Sequence, residues 1–506
     1  MTDPQTPNDN DLVARSAGYA FLGRLGALIE PVSIILFAKL YGAPTLGLFL
    51  LLWGYVQLAA VGSDFAMTTA LQRFVPSTRN EDRIHGTLKL ALLVSTVLSV
   101  LFAVGLSWGS EVFLPYISAD PAAVGNMSTI IDIYVWAIPL WCFIDVSTAA
   151  VRARRVFGPE IKIRIFYEQG LRLVAGVAFF LMGYNIYGLF MAHLAALLLA
   201  GVISFRLLGR HYSYARMLRT PVTMEQFIEA MRFSSPMAAS NLMKRLHINL
   251  PLFVLNLMLP GAAGATAVAV YAVARKVVSV LHVIRQSYEY VIAPIASATR
   301  ARADNHALHQ MYAYATRMMC CLFLPAAAGV VLLRHDIVGI IGSEFKAAAI
   351  MIIILALGRA IESFTGPAAV LTEMLARYRL PLLNGLAGLA VSAALLFWLT
   401  PIMGPPAAAI ATAVGVNVTA WASLVEIRYI YRQTPYDRHM VRPLLAALAG
   451  AVLIGLIEIM VTPLGGGARF AGAVVGLVAA FILLLRYGFN DRDASTFGKL
   501  GRRLRP

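Results

Sequence analysis

The chain has 506 residues, 59% hydrophobic and only 13% charged, with a mean hydropathy of +0.73. A soluble domain carries about 25% charge, so the composition rules out an ordinary soluble globular protein and points to a polytopic membrane protein. The formal net charge of +16 raises nucleic acid as a partner, and the placement of the charges decides against it.

Residues 1–11 are polar. No basic segment is followed by a short apolar core and a small-residue cleavage site, so no signal peptide is expected. Apolar runs of the roughly 20 residues needed to span fall near 15–40, 46–72, 86–110, 127–151, 160–183, 186–208, 227–258, 265–298, 310–333, 347–375, 380–400, 404–430, 441–463 and 468–487. The expectation is an all-α protein of about fourteen transmembrane helices. With the N-terminus inside, thirty Lys and Arg lie near inside ends and four, Lys39, Arg334, Lys346 and Arg469, near outside ends. The positive-inside rule then puts both termini in the cytoplasm. The basic tail ending in Arg502, Arg503 and Arg505 reads as an anchor to anionic phospholipids, and no nucleic acid is needed to explain the charge. Cys142, Cys320 and Cys321 all fall in apolar runs, so no structural disulfide is expected.

A weak internal repeat runs through the chain. Ala149-Ala-Val151 through Asn185-Ile-Tyr-Gly-Leu-Phe190 matches Ala368-Ala-Val370 through Ile402-Met-Gly-Pro-Pro406 at an offset of about 216–219 residues. An even number of helices per repeat makes the repeats parallel. The expected organisation is a cytoplasmic tail at 1–11, a six-helix lobe at 12–220, a second at 221–433, and a final helix pair with a basic tail at 434–506.

Two predicted helices are anomalous. Lys244 and Arg245 lie inside the seventh, and Arg275 and Lys276 inside the eighth. None has an acid three or four residues away. A cation at bilayer depth is costly unless it faces protein, water or an anion. At 1.5 Å rise per residue, the first pair lies roughly 21 Å from the outer helix end and the second roughly 15 Å. Asn241, Arg245, Asn249 and Asn256 share one helix face; Arg275, Ser279, His282, Gln286 and Glu289 share another. These spacings make Arg245, Arg275, Lys244, Lys276, Asn241, Asn249 and His282 candidates for an anion-binding cavity, with Arg24 on the first helix. Guanidinium grips phosphate bidentately, whereas ammonium acts as a point charge. The alternative is pairing with acids on neighbouring helices, and Glu30 and Asp64 are available. Asp64 shares a stripe with Gln57, Thr68 and Gln72. Glu30 and Asp64 are also candidates for coupling to protons or sodium, set against a static counter-ion role. Glu168–Arg172, Arg285–Glu289 and Arg359–Glu362 are spaced for pairing along their own helices. His193, His247 and His282 lack metal-ligand spacing, and neither a metal nor an organic cofactor is expected.

Gly47-Leu-Phe49, Ala70-Leu-Gln-Arg-Phe-Val-Pro76, Phe233-Ser-Ser-Pro236, Val270-Tyr-Ala-Val-Ala274 and Ala293-Pro-Ile-Ala-Ser297 resemble the corresponding helix ends of the polysaccharide biosynthesis, Wzx-type oligosaccharide flippases. That family is grouped with lipid II flippases and multidrug exporters in one superfamily. The resemblance covers nearly the whole chain. It implies a non-enzymatic transporter of the bacterial inner membrane that moves undecaprenyl-diphosphate-linked glycans by alternating access, for surface polysaccharide assembly beside polymerase machinery. A cation-coupled multidrug exporter and a lipid II flippase are the alternatives within the superfamily. A membrane polymerase, ligase or glycosyltransferase would need an external catalytic loop, and the outside loops are short. A scaffold would not need mid-membrane cations.

Overall fold

A computed structural model describes residues 29–118, 127–154, 156, 158–289, 292, 305–375, 379–490 and 493. Among them every regular element is helical. Ten helices are long and apolar enough to cross a membrane, eleven when one pair bent by 50° is taken as a single span. The protein is therefore an all-α, multi-pass membrane protein. The spans run shorter in number than the fourteen apolar runs for local reasons. The first run begins among residues that are not described. Its end is continuous with the second run in α1 (Ile29–Asp64), which bends at Gly42, φ 77°, just before Pro44. The fifth run is divided into a π-helical stretch, Lys162–Glu168, and a 13-residue α-helix. The seventh is a continuous 35-residue helix despite Pro236 and Pro251, but is too polar to qualify by composition.

The chain divides into two compact units, residues 1–269 and 270–506. In the first, α1 is followed by α2 (Met67–Phe74), α3 (Glu81–Trp108), α4 (Met127–Tyr134), α5 (Ala137–Ala153), α6 (Gln169–Leu181), α7 (Asn185–His211), α8 (Tyr214–Arg219) and α9 (Met224–Met258). Thr223 starts α9 with a reciprocal capping box to Gln226, which fixes where the helix leaves the linker. Met67, Leu71, Leu88, Val146, Ala150 and Leu208 bring α2, α3, α5 and α7 into one core at the predicted cytoplasmic end. α9 packs along α1 and so falls in the first compact unit, although the repeat places it at the start of the second lobe. The approach between α1 and α10 (Gly261–Ser279) depends on Gly47: a Cβ there would stand 1.7 Å from the Ala265 carbonyl oxygen.

In the second unit, the C-terminal part of α10 is followed by a helical stretch at 282–289 and by α11 (Asn305–Leu332), α12 (Arg334–Ile341), α13 (Ala348–Ser363), α14 (Ala368–Leu375), α15 (Arg379–Met403), α16 (Pro406–Ile430), α17 (Val441–Val461) and α18 (Gly466–Leu483). α17 and α18 are the appended pair. Arg317 donates to Asp437 and to Asp493 at 2.7–2.9 Å. Arg469 meets Asp336 and Glu458 at 3.3 and 3.1 Å. One arginine with two carboxylates thus ties the pair to α11 near one end and to α12 near the other. The three cysteines are buried and free; Cys142 and Cys320 donate to the carbonyls of Ala60 and Ser363.

Candidate functional site

In the first unit, α1 and α9 run antiparallel and place Gln57 between two expected site residues. Arg245 Nη1 donates to Gln57 Oε1 at 3.3 Å, and Asn249 Nδ2 donates to the same oxygen at 3.4 Å. Asn249 is buried, Arg245 and Asn241 are half-buried, and Lys244 is exposed. Adjacent helical residues point about 100° apart, which is why Lys244 and Arg245 differ. Asn256 shares the stripe but does different work: its side chain accepts from the Ser118 N–H and donates to the Ser118 carbonyl, holding the segment after α3. Tyr55 stacks on Phe253, centroids 4.2 Å apart and planes within 8°.

Asp64 ends α1 at a strained break. Phe65 and Ala66 have φ of 48° and 56°, and the left-handed region costs a residue with a Cβ roughly 1–2 kcal/mol. The Asp64 carboxylate accepts from the Thr68 N–H at 3.3 Å and the Thr68 hydroxyl at 2.9 Å, satisfying one of the open donors of α2. The Asp145 carboxylate on α5 is close enough to repel it.

Asp145 belongs to a charged group that the sequence did not assemble. Arg164 pairs with Asp145 and, at 2.8 Å, with Glu168, and its guanidinium lies 3.8 Å from the Trp141 ring centroid. Trp141 packs on Trp53, which packs on His193, whose Nδ1 is 2.7 Å from the Tyr134 hydroxyl. The expected Glu168–Arg172 pair is thus replaced by Arg164–Glu168. The π-helical stretch carries Arg164 beside α5.

In the second unit, Arg285 pairs with Glu289 at 2.6 Å and with Glu362, and Arg359 pairs with Glu362 at 2.6 Å. The two expected intrahelical pairs therefore form, and Glu362 joins them. His282 lies against this group, just after the helix is interrupted at Val280 and Leu281. Arg275 places its guanidinium 5.6 Å from the Tyr271 ring centroid. Lys276 is half-buried, and its carbonyl accepts from Ser279. Arg245 and Arg275 lie in different compact units. Glu30 is half-buried in the first turn of α1. Arg24 lies outside the described residues.

Extending the repeat register would have exposed the charged groups. Asp64 and His282 stand 218 positions apart, as do Gln57 and Arg275, and Asp145 and Glu362 stand 217 apart. Each unit thus sets a polar residue at a helix break opposite a carboxylate on the following spans. Among the described residues no cluster of His, Cys, Asp or Glu has the geometry of a metal site.

At the predicted cytoplasmic face of the first unit, Arg154 makes a two-pronged contact with Glu81 at 2.9 and 2.7 Å, which raises the arginine's pKa above its ordinary value. Arg216 reaches Asp82 and Arg83 reaches Glu229, both at 2.8 Å. The start of α3 is thereby tied to α5, α8 and α9.

The helical arrangement and its intramembrane charges define a multi-pass membrane protein with the fold of the MOP-superfamily transporters. It is similar to the lipid II flippase MurJ in an inward closed conformation, with a TM-score of 0.72 and 12% identity over 95% of this chain and 98% of that one. An inward-facing multidrug resistance MATE family transporter of the MOP superfamily gives 0.66 and 15%, over 81% and 98%. A MOP superfamily transporter from Pyrococcus furiosus, described as having a binding pocket of reverse polarity that suggests a different function, gives 0.55 and 14%, over 82% and 93%. At these identities the likeness establishes the fold. No curated protein matches the sequence. The polysaccharide biosynthesis protein family matches residues 71–350, more than half of the chain, and the protein belongs to that family.

Proposed function

We propose that the protein flips undecaprenyl-diphosphate-linked oligosaccharides across the bacterial inner membrane for surface polysaccharide assembly, by alternating access around cationic residues at mid-membrane. The observation that carries this reading is the Arg245–Gln57–Asn249 group: a guanidinium and two amides meet where α9 packs on the membrane-crossing α1 in a member of a polysaccharide biosynthesis family. A diphosphate needs charge-assisted donors, and a glycan needs amide and hydroxyl partners. In this reading Arg245 and Arg275 are each candidates to bind the diphosphate, Lys244, Lys276 and Arg24 add long-range attraction, and Asn241, Asn249 and His282 are candidates to face sugar. Asp64, supported only by Thr68 and near Asp145, is the leading candidate to load a proton or sodium ion, with Glu30 second. Two parallel six-helix lobes would rock about this centre, with both termini inside, anionic phospholipids at the basic tail and polymerase machinery as a partner. An exporter of organic cations would favour acids and aromatics over basic residues at such a centre.

The test replaces Arg245 and Arg275 singly with Ala and follows surface polysaccharide at matched membrane abundance. The expected result is loss of polysaccharide with accumulation of its lipid-linked precursor. Wild-type export by both variants sinks the assignment.

A further inference from the structure

The first unit contains a cavity of about 410 Å³ that the polar site does not use. Its wall takes Tyr55, Ala59 and Gly62 from α1, Phe102 and Leu106 from α3, and Leu242 from α9. Its one buried phenol, Tyr134, bonds His193, so the lining is almost wholly apolar. We propose that this chamber holds a segment of the isoprenoid chain of the lipid-linked substrate. The proposal rests on the flippase reading above and adds where the tail goes.

Four observations support a hydrocarbon chain of this kind. First, α1, α3 and the span formed by α4 and α5 are long and apolar enough to cross a membrane, and they supply most of the chamber's wall, which is completed by Phe113, Tyr116 and Ile117 beyond the end of α3. Second, the α1 wall runs from Leu52 to Gly62, a length of roughly 15 Å at 1.5 Å per residue. At about 30 Å³ for a water-sized particle, the volume takes about a dozen chain carbons, which span a similar length. Third, the wall is notched. A methyl group at Gly62 would meet only Leu242 Cδ1, at 3.9 Å, and Ala59 sits one turn away between larger residues. Such recesses suit a methyl-branched chain better than a straight one. Fourth, the chamber adjoins a cation. Leu242 lines it, and Arg245 lies three residues further along α9, bonded to Gln57 on α1. An amphiphile with a diphosphate at Arg245 has an apolar cavity within one helical turn. The substrate's chain is favoured over a phospholipid's on the third point.

The experiment uses the full-length protein in vesicles of phosphatidylethanolamine and phosphatidylglycerol. One arm carries a benzophenone-bearing polyprenyl diphosphate, the other a benzophenone-bearing phosphatidylglycerol. Labelled peptides are mapped with and without excess unlabelled polyprenyl diphosphate. The expected result is polyprenyl labelling within 52–62 and 102–106, reduced severalfold by competitor. Two chamber-filling variants on different helices, Ala59→Phe and Leu106→Trp, should each remove most of it while labelling of 441–483 by the phospholipid persists. Equal labelling of the chamber by phosphatidylglycerol, without competition by polyprenyl diphosphate, overturns the proposal, as does undiminished labelling of both filled variants. Competitive labelling confined to another part of the protein overturns the chamber and leaves the flippase reading standing. No competitive labelling anywhere removes the flippase reading as well.

Discussion

The two units solve the same problem, buried charge beside a broken helix, with different balances. In the second, Arg285 and Arg359 face Glu289 and Glu362, so the four formal charges cancel. In the first, Asp145 and Glu168 share one arginine, Arg164, and a third carboxylate forms no ion pair among the described residues. That acid is Asp64, whose described hydrogen bonds come from Thr68 alone. A balanced group suits a fixed scaffold. An acid held beside another acid suits one that exchanges a proton or ion. The same repeat position thus carries a histidine beside a balanced group in one unit and a carboxylate outside the described ion pairs in the other.

The sharpest way to break this comparison is to unbalance the second unit. Glu362→Ala leaves two arginines facing each other in a buried site, and removing one member of a buried ionic group costs about 3–5 kcal/mol. Thermal unfolding in detergent should show a large loss of stability, and membrane abundance should fall. Arg164→Ala should cost a similar amount in the first unit. Adding Asp145→Asn should recover part of that loss, because it removes one of the stranded acids.

Next comes function without loss of fold. Asp64→Asn keeps a hydrogen-bond acceptor for Thr68 and should change stability by no more than about 1 kcal/mol. It should nevertheless abolish the dependence of transport on a proton or sodium gradient. His282→Asn in the second unit should leave that dependence intact. Gradient dependence that survives the first substitution and vanishes with the second would reverse the assignment of the two units.

Packing gives a smaller effect. Gly47→Ala forces a methyl into the Ala265 carbonyl, and overpacking of this kind costs about 1–3 kcal/mol. Ala66→Gly, in contrast, should stabilise by about 1 kcal/mol by relieving the left-handed conformation. Both are read from melting temperature. Smallest is Arg83→Ala at the cytoplasmic face: its pair with Glu229 is exposed, and exposed pairs contribute about 0–1 kcal/mol.

Hydropathy and charge placement made the membrane class legible, because each span must carry its own apolar length. Individual helix breaks were not. Asp64, Phe65 and Ala66 contain neither proline nor glycine, so nothing local marks the left-handed turn. Conversely, Pro236 and Pro251 lie inside a continuous α9. The Gln57–Arg245–Asn249 group was half legible. The stripes on both helices were readable from their spacing, but their meeting depends on antiparallel packing set by small residues such as Gly54, which stands against Phe253 and Asn249. The pairing of Arg164 with Asp145 was not legible because a seven-residue π-helical stretch changes which face a side chain occupies. The apolar chamber was invisible, since its wall is built from residues that any membrane helix uses.

The central claim is that Arg245 on α9 acts on an anionic lipid-linked glycan. The most direct measurement is flipping of a fluorescent lipid-linked oligosaccharide in proteoliposomes, comparing wild type with Arg245→Ala and Arg245→Lys. A lost hydrogen bond to a charged group is worth about 1.5–3 kcal/mol, so Arg245→Ala should slow flipping by about tenfold or more, and Arg245→Lys should restore part of the rate. Equal rates for all three at matched reconstitution would contradict the claim.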